Sequence, residues 1–310
     1  MAVSSSGTAT GVHLSLGPIQ YHWPKAQMLD FYRMVETAPV DIVYLGETVC
    51  SKRRSLQHRD WIEIAERLQA AGKEVVLSTL ALLEANSELG YVRKLCENGR
   101  FTIEANDMSA VQMLAGKTHF VGGSSLNIYN PATLRKLVEL GLSRWVMPVE
   151  SSKSVLDGFR NEMPVGIETE VFAWGRLPLA YSARCYTARA HNVPKDACEF
   201  CCIDYPDGLE LATRDDEDFL VINGIQTQSA RVHSLVHEVH DAATGADILR
   251  ISPQSRHTEH VIALFDQVRK GALDALDASH ELQPFATQGL CDGYWHDEAG
   301  MSSRDGVRGQ

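Results

Sequence analysis

The stretch Asp41-Ile-Val-Tyr-Leu-Gly-Glu47 decides the fold, because it is a short β-like run that ends abruptly at glycine. A helical pattern precedes it, and the apolar residues of that pattern recur at i, i+3, i+4 and i+7: Met28, Phe31, Tyr32 and Val35. An apolar strand joined to an amphipathic helix is the repeating unit of parallel β/α proteins. The stretch therefore predicts a buried parallel strand with a helix packed against it.

The same unit recurs along the chain, since about eight β-like runs alternate with helical patterns over 310 residues. Nine candidate runs are visible, one more than a barrel of eight strands needs: residues 14–19, 41–45, 74–78, 101–105, 119–122, 144–149, 168–174, 219–223 and 247–251. This alternation predicts an α/β fold that is (β/α) barrel-like, that is, TIM-barrel-like. An open doubly wound sheet is the alternative. No glycine-rich dinucleotide fingerprint follows the first run, which weakens the nucleotide-binding form of that sheet.

Composition divides the chain into a leader, one domain and a tail. Residues 1–12 are small and polar and predict a disordered leader, residues 13–296 a single barrel-like domain, and residues 297–310 a flexible polar tail. Residues 185–218 look like a cysteine-rich insertion between the seventh and eighth β/α units, with a metal loop at 185–202. Functional groups of such barrels lie at the C-terminal ends of the strands.

Charge and hydropathy exclude several classes of protein. The net charge of −11 argues against a general nucleic-acid binder, which is usually basic. No run of eighteen apolar residues predicts a membrane span, and the leader lacks the features of a signal peptide. We therefore expect a cytoplasmic protein. In that compartment, seven cysteines indicate metal or redox chemistry more than a disulfide framework.

Four of the seven cysteines lie within residues 185–202. Cys185, Cys198 and one of the neighbours Cys201 and Cys202 offer three thiolates with a long first gap. Zinc sites tend to use two short cysteine pairs, whereas iron–sulfur clusters are usually held by four cysteine thiolates. The spacing therefore favours an iron–sulfur cluster over zinc, and either over unligated thiols.

A fourth ligand has to come from outside the insertion, and three cysteines are candidates. Cys96 lies on an apolar helix face, which suits a buried small side chain. Cys291 lies in a turn near the end of the chain and is a weak candidate. Cys50 follows the second predicted strand directly, at the functional end of the predicted barrel. We therefore favour Cys50.

Two other groups of polar residues, a run of cations and a set of histidines, are candidates for functional sites. The cations Lys52-Arg53-Arg54 follow Cys50 and could offset the charge of a cluster, bind an anionic substrate or simply form a solvated loop. The histidines His233, His237 and His240 lie opposite an apolar helical pattern within residues 232–239. We interpret them as the solvated face of a helix and not as metal ligands.

Residues 170–185, Glu-Val-Phe-Ala-Trp-Gly-Arg-Leu-Pro-Leu-Ala-Tyr-Ser-Ala-Arg-Cys, resemble the signature of the collagenase-like peptidase U-type family, a strand followed by a Tyr-Ser-x-Arg-Cys turn. The resemblance extends over about residues 14–295. It implies a β/α-barrel-like fold and a 4Fe–4S cluster whose ligands are Cys50, Cys185, Cys198 and Cys202. Relatives often have a cysteine where this chain has Pro178, and this departure supports a ligand from another loop.

The resemblance also implies a function in the oxygen-independent hydroxylation of the ubiquinone ring during anaerobic ubiquinone biosynthesis. The chain would be the iron–sulfur subunit of a heterodimer with a UbiU-like sister protein, and so one component of a hydroxylase. Ubiquinone precursors and prephenate, the oxygen donor, are the implied small-molecule partners, and a lipid-carrier accessory protein is a further one.

Other members of the wider family suggest alternatives: a peptidase, a tRNA-hydroxylation factor or a non-catalytic iron–sulfur scaffold. No recognisable nucleophile, base or catalytic metal set supports the peptidase.

Overall fold

Eight parallel strands close into a barrel in the computed structural model, which describes residues 11–239 and 245–304. The first seven strands follow one another around the barrel, and the eighth, residues 248–251, pairs in parallel with both the seventh and the first. The predicted TIM-barrel-like fold is therefore confirmed. The barrel strands are β1 (His13–Leu16), β2 (Ile42–Leu45), β3 (Glu74–Ser78), β4 (Thr102–Ala105), β5 (Phe120–Gly122), β6 (Leu142–Val146), β7 (Glu168–Tyr181) and β11 (Ile248–Ile251).

Helices surround the barrel because each presents one apolar face to it. Six of them connect consecutive strands: α1 (Lys25–Thr37), α2 (His58–Ala70), α3 (Asn86–Cys96), α4 (Met108–Leu114), α5 (Pro131–Glu139) and α6 (Lys153–Glu162). The start of α5 shows the local cause, since Asn130 accepts a hydrogen bond from the Thr133 amide at 2.8 Å and proline follows at the first helical position. Three helices come later in the chain: α7 (Tyr186–Ala190) follows β7, and α8 (Thr258–Arg269) and α9 (Ala275–Leu282) follow β11.

A buried polar network lies inside the barrel, beside a small apolar cluster of strand residues: Ile42, Tyr44, Val76, Val121, Val146 and Ile248. Glu170 is fully buried and accepts hydrogen bonds from Ser15 Oγ at 2.6 Å and Arg250 Nε at 2.7 Å. Arg250 donates a second bond to Glu104 at 2.7 Å, and its guanidinium lies 3.9 Å from the centre of the Tyr44 ring. Buried charges are tolerable when they are paired and hydrogen-bonded in this way.

The strand β7 is longer than the sequence indicates and carries a second, antiparallel layer. Its C-terminal half extends past the barrel and pairs with β10 (Gln226–Ser234), followed by β9 (Asp218–Asn223) and β8 (Leu209–Ala212). The short β12 (Leu290–Cys291) pairs with residues 232–233 of β10, on the edge opposite β7 and beyond the part that pairs with β9. The run at 219–223 is thus β9 of the insertion, which reaches beyond residue 218.

The predicted histidine-bearing helix at residues 232–239 is wrong. The backbone is strand up to Ser234, and a short 3₁₀ turn covers residues 236–238. His233 is 3% exposed and therefore does not lie on a solvated face. The physical reason is the β7 backbone: residues 232–234 pair with residues 174–176, so pairing overrides the helical spacing of the valines. His240 lies outside the described residues.

The described end of the chain returns to the barrel. The amides of Asp292 and Gly293 both donate to the Ser302 carbonyl at 3.0 Å, and Arg231 donates to the Met301 carbonyl at 2.8 Å. Residues 1–10 of the expected leader and residues 305–310 of the expected tail lie outside the described ranges. Within those ranges, no helix combines the length and apolar character needed to cross a bilayer.

Candidate metal centre

The loop after β2 is shaped by a glycine turn and a partly buried carboxylate. Gly46 has φ +135°, and a Cβ at this position would lie 2.5 Å from the Ser78 carbonyl oxygen. Glu47 follows it and accepts hydrogen bonds from the amides of Val49 at 2.9 Å and Cys50 at 3.0 Å. These bonds curl the loop so that Cys50 is held on the C-terminal face of the barrel.

Arg53 is the cation buried deepest in this loop, with 5% of its surface exposed. It donates to the Gln20 carbonyl and to Asn223 Oδ1, both at 2.7 Å, and so connects the loops after β1 and β2 to the insertion. Burial alone would lower the pKa of Arg53. The charges of Glu47, Cys202 and Cys50 outweigh that effect and raise this pKa, so the guanidinium is a permanent positive charge beside the thiols.

The cysteine-rich segment folds back onto the barrel through backbone contacts. The Tyr186 amide donates to the Gly224 carbonyl at 2.8 Å, and Thr187 Oγ1 accepts from the Gly224 amide at 2.9 Å. Cys185 lies at the start of α7, where its Sγ accepts from the Ala188 amide at 3.4 Å. On the other side, Lys52 donates to the Lys195 carbonyl at 2.9 Å and to Asp196 at 2.8 Å.

The structure brings Cys50 close to the insertion cysteines. The Cys50 thiol interacts electrostatically with Cys185, and the Cys202 thiol interacts with both of them. Cys198 interacts with Lys52 and with Cys201. Burial raises the pKa of Cys50 and of Cys202, while the nearby Arg53 opposes the rise in both. The four cysteines that the family resemblance implies therefore lie in one region of the C-terminal face, which we call the thiol corner, without converging on one point.

The neighbours Cys201 and Cys202 differ in their surroundings. Cys202 interacts with Arg53, and its Sγ lies 3.5 Å from His22 Nδ1. Cys201 also interacts with Cys185 and with Cys198. Both thiols therefore lie near the group, but Cys202 is the one that faces the buried cation and the Cys50 loop.

The other two cysteines lie apart from this group. Cys96 is the last residue of α3 and packs against the apolar core. Cys291 belongs to β12, is 1% exposed, and burial raises the pKa of its thiol to about 12. In the described parts of the chain, no interaction joins either cysteine to the insertion thiols. Both therefore behave as small side chains of the core.

The residues at this corner supply the donor type that holds iron–sulfur clusters. Within residues 11–239 and 245–304, no three histidine, cysteine or acidic side chains converge closely enough to hold one ion. A cluster distributes its thiolates over several iron atoms, so they need not meet at one point. Four thiols, a buried arginine and a lysine match the donor set and the compensating charge that such a group requires.

A cavity of about 560 Å³ opens beside the thiols, between the loop after β2 and the first turns of α2 and α3. Its wall includes the apolar side chains Leu56, Trp61 and Tyr91. It also includes charged residues of both signs: Arg54, Lys94, Glu47 and Glu88. Arg54 and Lys94 form no ion pair with the described residues. Its size and mixed lining are those of a small-molecule site.

Comparison with known proteins places the sequence in a family. A profile described as Peptidase family U32 matches residues 29–304. The chain belongs to peptidase family U32. Among solved structures, the U32 peptidase Mk0906 is 11% identical with a TM-score of 0.45, and the match covers 81% of this chain and 97% of that one.

Other solved structures are similar at the same low level. Tryptophan synthase of Mycobacterium tuberculosis is 12% identical with a TM-score of 0.37, over 86% of this chain and 92% of that one. A phospho-2-dehydro-3-deoxyheptonate aldolase of Thermotoga maritima is 9% identical with a TM-score of 0.38, over 92% and 72%.

In this U32 chain, sequence reasoning alone misses three residues beside the thiols. The sequence marks Glu47 only as a residue at a strand end, does not single out His22, and does not separate Arg53 from the neighbouring cations. The structure separates them: Arg53 is buried, Lys52 pairs with Asp196, and Arg54 is exposed on the cavity side. The signal that the sequence does carry is Gly46-Glu47, a tight turn followed at once by a carboxylate.

Proposed function

We propose that the chain is the iron–sulfur subunit of an oxygen-independent hydroxylase. The observation that supports this most directly is the approach of Cys50, from the loop after β2, to the insertion cysteines beside the buried Arg53. Cys185, Cys198 and Cys202 complete the proposed ligand set. A separate structural role for each of four thiols would not require them to share one corner with a desolvated cation.

The chain itself supplies orientation and charge for a 4Fe–4S cluster, and the cluster would supply one-electron chemistry when bound. Glu47 fixes the loop that carries Cys50, and Arg53 offsets the negative charge of the thiolates. Lys52 attaches the segment before Cys198 to the same loop through Asp196. These residues therefore position the ligands and compensate their charge.

We infer that, within the U32 family, the chain is similar to UbiV, a protein of anaerobic ubiquinone biosynthesis. Val49-Cys-Ser-Lys-Arg-Arg54 and Met147-Pro-Val-Glu150 are two of the segments that carry the likeness. We infer from it a cytoplasmic heterodimer with a UbiU-like sister protein that hydroxylates ubiquinone precursors, aided by a lipid-carrier accessory protein. We propose the cavity beside the thiols as the site of prephenate, the oxygen donor, with Arg54 and Lys94 as contacts for its carboxylates and Trp61 and Tyr91 for its ring.

Single cysteine replacements test the ligand set. Protein purified without oxygen should absorb broadly in the visible range, and Cys50→Ala, Cys185→Ala, Cys198→Ala and Cys202→Ala should each lose most of this absorbance. Cys96→Ala is the matched control, because its thiol packs against the core away from the group. Retention of the full spectrum in the Cys198→Ala and Cys50→Ala proteins would refute this set of ligands.

The reaction itself is tested in a deletion strain grown without oxygen. We expect non-hydroxylated ubiquinone precursors to accumulate and wild-type protein to reverse this, while the cluster-deficient Cys198→Ala protein does not. The hydroxylation of tRNA from the same cells is measured by mass spectrometry and compared with that of the wild-type strain. Loss of a tRNA hydroxyl group with normal ubiquinone would instead assign the protein to RNA modification.

A further inference from the structure

The mouth of the barrel holds a second candidate site, distinct from the thiol corner. A cavity of about 30 Å³ lies at the C-terminal end of the barrel axis, and every barrel strand or the loop after it contributes to its wall. A space of this size admits one functional group and not a whole cofactor. Phe172, Pro178 and Val149 form an apolar part of the wall.

Two buried polar side chains in this wall have hydrogen-bonding atoms without a partner. Thr48 is 4% exposed and Arg250 is 6% exposed. Neither Thr48 Oγ1 nor Arg250 Nη2 has a hydrogen-bond partner in the described part of the chain. An unpaired buried polar atom destabilises a protein, so two of them lining one cavity indicate that a ligand completes their bonds.

A third donor faces the same cavity. Tyr181 lines it and accepts a hydrogen bond from Gln226 Nε2 at 2.8 Å, which leaves the phenolic hydrogen to donate. Burial raises the pKa of Tyr181 to about 12, so the hydroxyl stays protonated at neutral pH. Thr48, Tyr181 and Arg250 come from three different strand ends, so their donors reach the mouth from different sides.

The charges around Arg250 decide which ligand is accepted. Its guanidinium already bonds two carboxylates, Glu104 and Glu170, each at 2.7 Å. Glu104 also lines the cavity. An incoming anion would add a further negative charge beside these carboxylates in a poorly solvated place, where like charges repel strongly. The free N–H of Arg250 is therefore suited to a neutral oxygen acceptor.

We propose that the barrel mouth binds the neutral carbonyl or hydroxyl oxygen of a ligand whose ring remains outside this small cavity, with Thr48, Tyr181 and Arg250 as its polar contacts. Phe172 and Pro178 form the apolar wall around the oxygen-bearing group. This site contains no thiol and its assignment does not rest on the iron–sulfur function.

The test measures the affinity of the full-length protein for three aromatic probes by ligand-observed NMR titration. Acetophenone and phenol carry a neutral oxygen, and benzoate is an anion of similar size. We expect acetophenone and phenol to bind more tightly than benzoate. Thr48→Val keeps the shape but removes the hydroxyl, and it should weaken acetophenone binding on the order of tenfold.

Thr169→Val is the matched control, since Thr169 is a buried barrel threonine whose hydroxyl bonds the Asp247 carboxylate at 2.8 Å. It should lower the unfolding midpoint and leave probe affinity unchanged. Thr48→Val should leave the unfolding midpoint unchanged and lower the probe affinity, because the Thr48 hydroxyl has no hydrogen-bond partner in the described part of the chain.

Three results would overturn the proposal: no binding of any probe, unchanged acetophenone affinity in Thr48→Val, or tighter binding of benzoate. The first would mean that the unpaired donors hold solvent only. Repeating the titration with the Cys198→Ala protein separates the two proposals, because we expect that protein to bind acetophenone whether or not wild-type protein carries a cluster.

Discussion

Arg53 shows how a single side chain can join three separate parts of the sequence. It reaches the Gln20 carbonyl, Asn223 Oδ1 and the Cys202 thiol while remaining 5% exposed. The turn at Gly224 packs against it closely, since a Cβ at that glycine would lie 2.9 Å from Arg53 Nη2. The planar guanidinium fits this position because it can donate to several acceptors at once.

Arg53→Lys keeps the charge, but a lysine cannot donate hydrogen bonds to both the Gln20 carbonyl and Asn223 Oδ1 in the geometry of the guanidinium. We expect it to lower the free energy of unfolding by about 2–4 kcal/mol, because buried acceptors lose their donor. Arg54→Lys is the control and should change it by less than about 0.5 kcal/mol, since Arg54 is exposed. Urea denaturation measures both, and equal effects of the two replacements would contradict the special role of Arg53.

We expect His233 to make the stability of the protein sensitive to acid. Burial lowers the pKa of His233 from 6.5 to about 4, so the folded protein takes up this proton at a lower pH than the unfolded chain does. Stability attributable to this residue is therefore complete above pH 6.5 and is lost as the pH falls from 6.5 to 4, by at most about 3 kcal/mol.

His233→Gln should remove this part of the pH dependence. The difference in unfolding free energy between pH 7 and pH 4 should become smaller than in wild-type protein, while His280→Gln, a change at an exposed position on α9, should leave it unchanged. An undiminished pH dependence in the His233→Gln protein would show that this histidine is not buried in its neutral form.

At the scale of elements, the loop after β2 is the piece on which the thiol corner depends. Gly46 turns the chain at the end of β2, and Glu47 then holds the amide of Cys50. We expect Gly46→Ala to cost about 3 kcal/mol or more, because the positive φ and the overlap with the Ser78 carbonyl add together. Thermal unfolding measures the loss.

Gly72→Ala provides the comparison for that change. Gly72 also has a positive φ, +86°, but a Cβ added there would have no atom within 4 Å of it. The replacement should cost only about 1–2 kcal/mol, the conformational penalty alone. If both replacements cost the same, the close contact with Ser78 does not constrain the loop.

Local patterns are sufficient for most barrel elements but not for the insertion. The helix from Thr258 to Arg269 and the strand from Ile42 to Leu45 follow directly from apolar spacing. Residues 232–239 mislead because Val232, Leu235, Val236 and Val239 also fit a helix, and only pairing with distant β7 makes the first part a strand. The burial of Arg53 depends on partners up to 170 residues away, which a local cationic run cannot reveal.

For the whole molecule, the extended β7 connects the barrel to the cysteine-rich layer. Its first half belongs to the barrel, its second half supports β10, and Cys185 follows shortly after its end. The thiol corner and the barrel mouth therefore lie on the same C-terminal face, with the ends of β2 and β7 contributing to both. A ligand in the mouth and a cluster at the corner would be neighbours, as a substrate and a cofactor are in many barrel enzymes.

The central claim is that the four thiols hold an iron–sulfur cluster, and iron and acid-labile sulfide analysis of oxygen-free, full-length protein tests it most directly. We expect about four iron and four sulfide per chain in wild-type and Cys96→Ala protein, and little of either in Cys198→Ala protein. Colourless wild-type protein with stoichiometric zinc and no sulfide would contradict the claim.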